Sequence, residues 1–159
     1  MKQKKNTNNR EKANKRLKKE LKVLNSTLKG NSININCSVL QDRSISVLEA
    51  ISEYLKDKKG LSYHEIAILL NRDDRTIWTC YSRAKKKRPA APKAKPINIA
   101  VPSSTLRDRT VSVLESIAEY LMDSRGMSYH EIAVALNRDD RTIWTCYARA
   151  RAKRGGDRQ

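Results

Sequence analysis

One feature constrains this chain more than any other: the same segment occurs in it twice. Residues 38–88 align with residues 104–154 at a constant offset of 66, without a gap, and about 70% of the aligned positions are identical. The longest unchanged run, NRDDRTIWTCY, occupies 71–81 and returns at 137–147. A repeat needs far less identity than this to keep its fold. The 159 residues therefore hold two small units of about 50 residues each, close to the lower limit for folding alone. Such units are expected to lean on each other or on a second chain. The organisation read from the sequence is a tail over 1–31, a first repeat over 32–88, a linker over 89–97, a second repeat over 98–154 and a short tail over 155–159.

Charge follows the same division. The chain carries 34 Lys and Arg against 17 Asp and Glu, a formal net charge of +17. Residues 1–30 contribute +9, residues 85–103 hold six bases and no acid, and residues 151–159 add +3. Residues 38–84 balance seven bases against seven acids, and residues 104–150 set six against seven. Nearly neutral units flanked by basic segments point to a polyanionic partner, most often nucleic acid. No apolar run approaches 18 residues, so no membrane span is expected. The basic N-terminus is not followed by the apolar stretch of a secretory signal. Cys37, Cys80 and Cys146 are widely spaced and form no C-x-x-C pair, which disfavours a disulfide framework or a cysteine zinc site. A cytoplasmic, nucleoid-associated protein is the expectation.

Each repeat reads as three helices. In the first copy Val47, Leu48, Ile51, Tyr54 and Leu55 form an apolar face on a helix over about 44–58, and Gly60 stops it. Ser62 and Glu65 have the spacing of a capping box, which opens a second helix with Ile66, Ala67 and Leu70 on its buried stripe. Asn71 tolerates the left-handed backbone of a sharp exit. Asp73 is read as the side-chain N-cap of a third helix, with Ile77, Tyr81 and Ala84 returning to the core. The second copy repeats these signals at Gly126, Ser128, Glu131, Asn137, Asp139, Ile143, Tyr147 and Ala150. The fold class expected is all-α: two tandem trihelical helix-turn-helix domains joined by a basic, proline-containing linker. Ahead of each unit lies a short alternating stretch, 33–35 and 97–101. It packs on its own domain, or it pairs as β-structure within or between chains. In the tail, Leu17, Leu21, Leu24 and Leu28 have the spacing of a short amphipathic helix, so this basic segment is read as disordered to helical.

These residues resemble a known family. LSYHEIAILLNRDDRTIWTCYSRA is similar to the promoter-reading C-terminal helix-turn-helix, conserved region four, of bacterial RNA polymerase sigma factors. The resemblance is carried by Leu61, Ser62 and Tyr63, then Glu65, Ile66 and Ala67, Leu70, Thr76 and Ile77, and Ser82, Arg83 and Ala84. It recurs at Ser128, Tyr129, Glu131, Ile132, Ala133, Leu136, Thr142, Ile143, Arg149 and Ala150. It covers each repeat and not the tails. It implies sequence-specific binding of double-stranded DNA, with RNA polymerase as a second candidate partner. The sequence departs from the family at Asn71 and Asn137, where Gly is frequent, and at Trp78 and Trp144, where basic or polar residues are usual.

In a helix-turn-helix the N-terminal part of the second helix enters the major groove. The face of that helix opposite Ile77, Tyr81 and Ala84 carries Asp74, Arg75, Trp78, Thr79 and Ser82, with Thr76 beside it and Arg83 at its edge. Arg75 has the geometry to grip a guanine, and Thr79 to meet a thymine methyl or a phosphate. Arg72, Arg83, Lys85, Lys86 and Lys87 are read as phosphate contacts, which position a protein without reading sequence. The second copy supplies Arg138, Asp140, Arg141, Thr142, Trp144, Thr145, Arg149, Arg151 and Lys153. Trp78 and Trp144 are either partly buried core residues or exposed indoles in a groove or interface. His64 and His130 are read as surface residues, one per copy without cysteines at ligand spacing. Glu49, Glu53, Asp57, Glu115, Glu119 and Asp123 are read as solvated faces of the first helices, with no catalytic set beside them. No cofactor, metal or enzymatic activity is expected, and a homo-oligomer is compatible with the pattern. The leading expectation is a transcriptional regulator reading two similar half-sites. The alternatives are an architectural nucleoid protein with little sequence preference and a polymerase-binding adaptor.

Overall fold

The computed structural model describes residues 32–88 and 95–155. The N-terminal tail with its leucines, residues 89–94 of the linker and residues 156–159 lie outside the described residues. The described chain is mostly helical. In the first repeat a strand, β1 (Asn34–Asn36), runs into a 3-10 turn, η1 (Cys37–Leu40). Three helices follow: α1 (Val47–Asp57), α2 (Tyr63–Leu70) and α3 (Asp74–Lys87). The second repeat gives β2 (Ala100–Pro102), η2 (Ser103–Arg107), α4 (Val113–Asp123), α5 (Tyr129–Leu136) and α6 (Asp140–Lys153).

Local chemistry sets these boundaries. The first helix begins at Val47 rather than near Ser44, because Ser46 and Glu49 form a capping box absent from the sequence reading. Ser46 Oγ accepts from the Glu49 amide at 3.2 Å, and the Glu49 carboxylate accepts from the Ser46 amide at 2.9 Å. Ser112 and Glu115 do the same for α4. The boxes at Ser62 and Ser128 stand as read. Asn71 and Asn137 leave their helices in the left-handed region, at φ 54° and 52°. Asp73 and Asp139 occupy the N-cap positions of α3 and α6, yet neither side chain makes a capping hydrogen bond. That expectation is corrected: their carboxylates lie toward arginines of the other repeat, Asp139 at 3.4 Å from Arg43 and Asp73 at 3.9 Å from Arg109.

The two repeats are built on one core. Ile35, Leu40, Ile51, Leu55, Ile66, Leu70 and Ile77 belong to the same buried cluster as Val101, Leu106, Ile117, Leu121, Ile132, Leu136 and Ile143. The alternating arms are what join them. β1 and β2 pair antiparallel, with Ile35 opposite Val101, so the arms pair within the chain. Each 3-10 turn then lies against the other copy: η1 packs between α1 and α5, and η2 between α4 and α2. Units this small expose much of their surface when alone, and here each covers the other.

Candidate nucleic-acid interface

The helix preceding each tight turn ends in carbonyls without intrahelical partners. The other repeat adds donors to those of the turn itself. Arg107 donates to the carbonyl of Ile68 at 3.0 Å, and Gln41, its counterpart, donates to that of Ala135 at 3.3 Å. The turn itself is held from the same side. Asn71 donates to the Arg107 carbonyl at 3.1 Å, and Asn137 to the Gln41 carbonyl at 2.9 Å. Arg72 donates to the carbonyls of Leu70, Asn71 and, across the interface, Asp108. Arg138 donates in the same way to Leu136, Asn137 and Asp42. Both guanidiniums, expected at phosphate, are committed to fixing the turn.

The third helix is anchored along its length. Ile77 and Ala84 are fully buried, as are Ile143 and Ala150. Tyr81 is half-buried and donates its hydroxyl to Asp57 at 3.0 Å; Tyr147 donates to Asp123 at 2.8 Å. The acids of the first helix, all read as solvated, divide: Asp57 and Asp123 are exposed and Glu119 is half-buried. Glu49, Glu53 and Glu115 are buried, and a buried carboxylate needs a partner. Basic residues at the end of the third helix provide it. Lys87 lies 2.8 Å from Glu49, and Lys85 lies 3.0 Å from Glu53 and 2.6 Å from Asp57. Arg88 reaches Asp42 and Glu53. In the second copy Lys153 lies 2.7 Å from Glu115, Arg151 lies 4.0 Å from Asp123, and Arg154 bridges Asp108 and Glu119. Hydrogen bonding to Asp57 and Glu53 holds the Lys85 ammonium well above the ordinary lysine range. Lys85, Lys87, Arg151 and Lys153 thus hold α3 and α6 to the body.

What remains outward is a short stripe. On one face of α3, Arg75 and Trp78 stand exposed at helical i and i+3 positions, with Thr79 and Ser82 half-buried at i+4 and i+7. Trp78 is 55% exposed and Trp144 56% exposed, which decides between their two readings. The Arg75 and Arg141 side chains are exposed and make no hydrogen bond or ion pair among the described residues. Arg83, Lys86 and Arg149 are also exposed. Thr79 and Thr145 donate their hydroxyls to the carbonyls of Arg75 and Arg141 at 2.7 and 2.8 Å. Thr76, Thr142 and Ser82 are half-buried. Asp74 pairs with His64 at 2.9 Å, and Asp140 with His130 at 3.2 Å. Each histidine therefore lies on the surface and faces the acid at the start of the third helix.

Cys37 is fully buried and its thiol is pushed up to about 11 by desolvation. Cys80 and Cys146 are raised for the same first cause, burial. Thiols held protonated are poor nucleophiles. Among the described residues no group of three or more His, Cys, Asp or Glu is placed to hold a metal ion. Among them, too, no helix is long and apolar enough to cross a membrane.

The signal missed in the sequence is the exchange between copies. Gln41 and Arg107 differ in type, so they gave no repeat pattern, yet they do the same job at the same place. Compared with known proteins, the chain matches no family model, no curated protein and no solved structure.

Proposed function

We propose that the chain is a sequence-specific double-stranded DNA-binding protein, a nucleoid-associated transcriptional regulator without enzymatic activity. Its two repeats act as tandem helix-turn-helix units of the kind found in sigma region four, with α3 and α6 as the reading helices. One observation carries this reading. Within the run repeated unchanged at 71–81 and 137–147, most positions have an internal reason to be what they are. Asn71 and Arg72 hold the turn, Ile77 fills the core, and Tyr81 ties the helix to α1. Arg75 and Trp78 have none. They are exposed in both copies, lie on the first two turns of the helix and are paired with no group among the described residues. Exposed arginine and a flat aromatic side chain on the leading turns of a helix suit the edge of base pairs in a major groove. The basic residues concentrated at 1–30 and 85–103 would add affinity through phosphates without adding discrimination.

Selection from a random duplex library with the full-length chain, at low and at near-physiological salt, tests the reading. A recovered motif that persists as salt rises is the expected result. Equal affinity for all duplexes at both salts would replace it with the architectural alternative. Capture of RNA polymerase without DNA would favour the adaptor.

A further inference from the structure

Many of the contacts between the repeats come in pairs that exchange under the offset of 66. In the strand ladder Ile35 faces Val101, its own counterpart, while Asn34 faces Pro102 and Asn36 faces Ala100. The Cys37 amide donates to the Ile99 carbonyl at 2.8 Å, and the Ser103 amide to the Ile33 carbonyl at 2.9 Å. The Asn71 and Asn137 bonds, the Arg72 and Arg138 bonds, and the Arg43–Asp139 and Arg109–Asp73 pairs are reciprocal in the same way. Repeats related by translation would join one face of the first copy to a different face of the second. No residue would then meet its own counterpart. Reciprocal contacts of this kind define an isologous interface, and an isologous interface has a two-fold axis. Here the axis passes between Ile35 and Val101.

The reading helices α3 and α6 are therefore related by a half-turn and not by a shift along the chain. B-form DNA has dyads of its own, because its strands are antiparallel, and a two-fold reader matches two-fold DNA. From this symmetry we infer that one copy of the chain reads an inverted repeat, one half-site per repeat. It thus does as a monomer what helix-turn-helix proteins otherwise do as dimers. This rests on the DNA reading proposed above and adds to it the symmetry of the target and the number of chains it takes. The identity of 71–81 with 137–147 makes the two half-sites alike, and the shared core makes their spacing fixed. A second copy is not needed to complete the site.

The test uses the full-length chain and a randomised duplex library of about 40 bp, long enough for half-sites one or two helical turns apart. The selected duplex is then compared with three relatives. In one a half-site is reversed, converting the inverted repeat to a direct one; in the second a half-site is scrambled; in the third the spacing is changed by about half a turn. The mass of each complex is measured in solution. Expected are an inverted repeat in the selected pool, a loss of about 100-fold or more in each of the three relatives, and one chain per duplex. A direct repeat binding as tightly as the inverted one overturns the inference while leaving the DNA reading standing. So do two chains on each inverted repeat. A pool with no motif at all overturns the DNA reading, and this inference with it.

Discussion

At the scale of single residues, the duplication separates two kinds of side chain that look alike in the sequence. Arg72 and Arg75 are three positions apart in an unchanged run, and both were expected to meet DNA. The structure commits Arg72 to three carbonyls and leaves Arg75 in solvent. Arg75→Ala combined with Arg141→Ala is therefore expected to erase discrimination between cognate and random duplex, each base contact carrying about 1–3 kcal/mol. The same double variant should unfold within about 0.5 kcal/mol of the parent, because both side chains are exposed and unpaired among the described residues. Competition binding and denaturant titration together check this, and unchanged preference would reassign the reading to other residues. Much at this scale was legible beforehand. The left-handed asparagines, the Ser62–Glu65 box and the buried Ile77 follow from rules that act within a few residues. The partner of a turn does not. Nothing within reach of Asn71 in the sequence says that its side-chain amide bonds the backbone of Arg107, and nothing near Arg72 says that its guanidinium helps to hold the turn.

Between elements, the decisive contacts join the first and third helices of each repeat. The sequence shows acids on α1 and bases at the end of α3, and both invite a solvated reading. The burial of Glu49, Glu53 and Glu115 becomes visible only once the helices pack. The pairing has a pH signature. Burial by itself pushes the Glu49 carboxyl up; the hydrogen bond from Lys87, the Ser46 amide and the charges of Lys87 and Arg83 outweigh it and hold the group below the usual range. Glu115 is held down in the same balance by Lys153 and Ser112. A carboxyl whose folded-state pKa lies below its unfolded value, about 4.3 for Glu, adds stability that is complete above that value. The stability is lost as pH falls through the folded-state pKa. Unfolding free energy should accordingly drop as pH is lowered from about 5 toward 3. Glu49→Gln with Glu115→Gln is expected to flatten that slope. Gln preserves the capping box, so the change isolates the charge, and at neutral pH the cost should be no more than about 1 kcal/mol per pair because the lysines are partly in water. Denaturant unfolding at a series of pH values measures both. An acid slope equal to that of the parent would place the titrating groups elsewhere.

For the whole molecule, the repeated segment predicts two units, and the structure shows why two such units need not behave as two. Each repeat lends the other its 3-10 turn, a strand and donors at the end of a helix, and most of the buried apolar side chains of both form one cluster. The cooperative unit should therefore be the residues from 33 onward taken together, with neither copy stable when the other opens. Ile132 is fully buried in α5, and Ile132→Ala removes apolar volume from a close-packed site, at a cost of about 2–5 kcal/mol. If the repeats were independent, that cost would fall on the second alone. Hydrogen exchange in α2 and α3 would keep its parental rate, and unfolding would divide into two transitions. With a shared core the protection of α2 and α3 should fall by the same free energy as that of α5 and α6, in a single transition at a lower midpoint. Exchange measured by mass spectrometry, peptide by peptide along both copies, reads this directly because 66 residues separate every pair of equivalent peptides. Coupled loss across the pairs is also what the two-fold DNA reading requires. Reading helices that open together hold their relative position until the whole body unfolds, and a fixed half-site spacing depends on that.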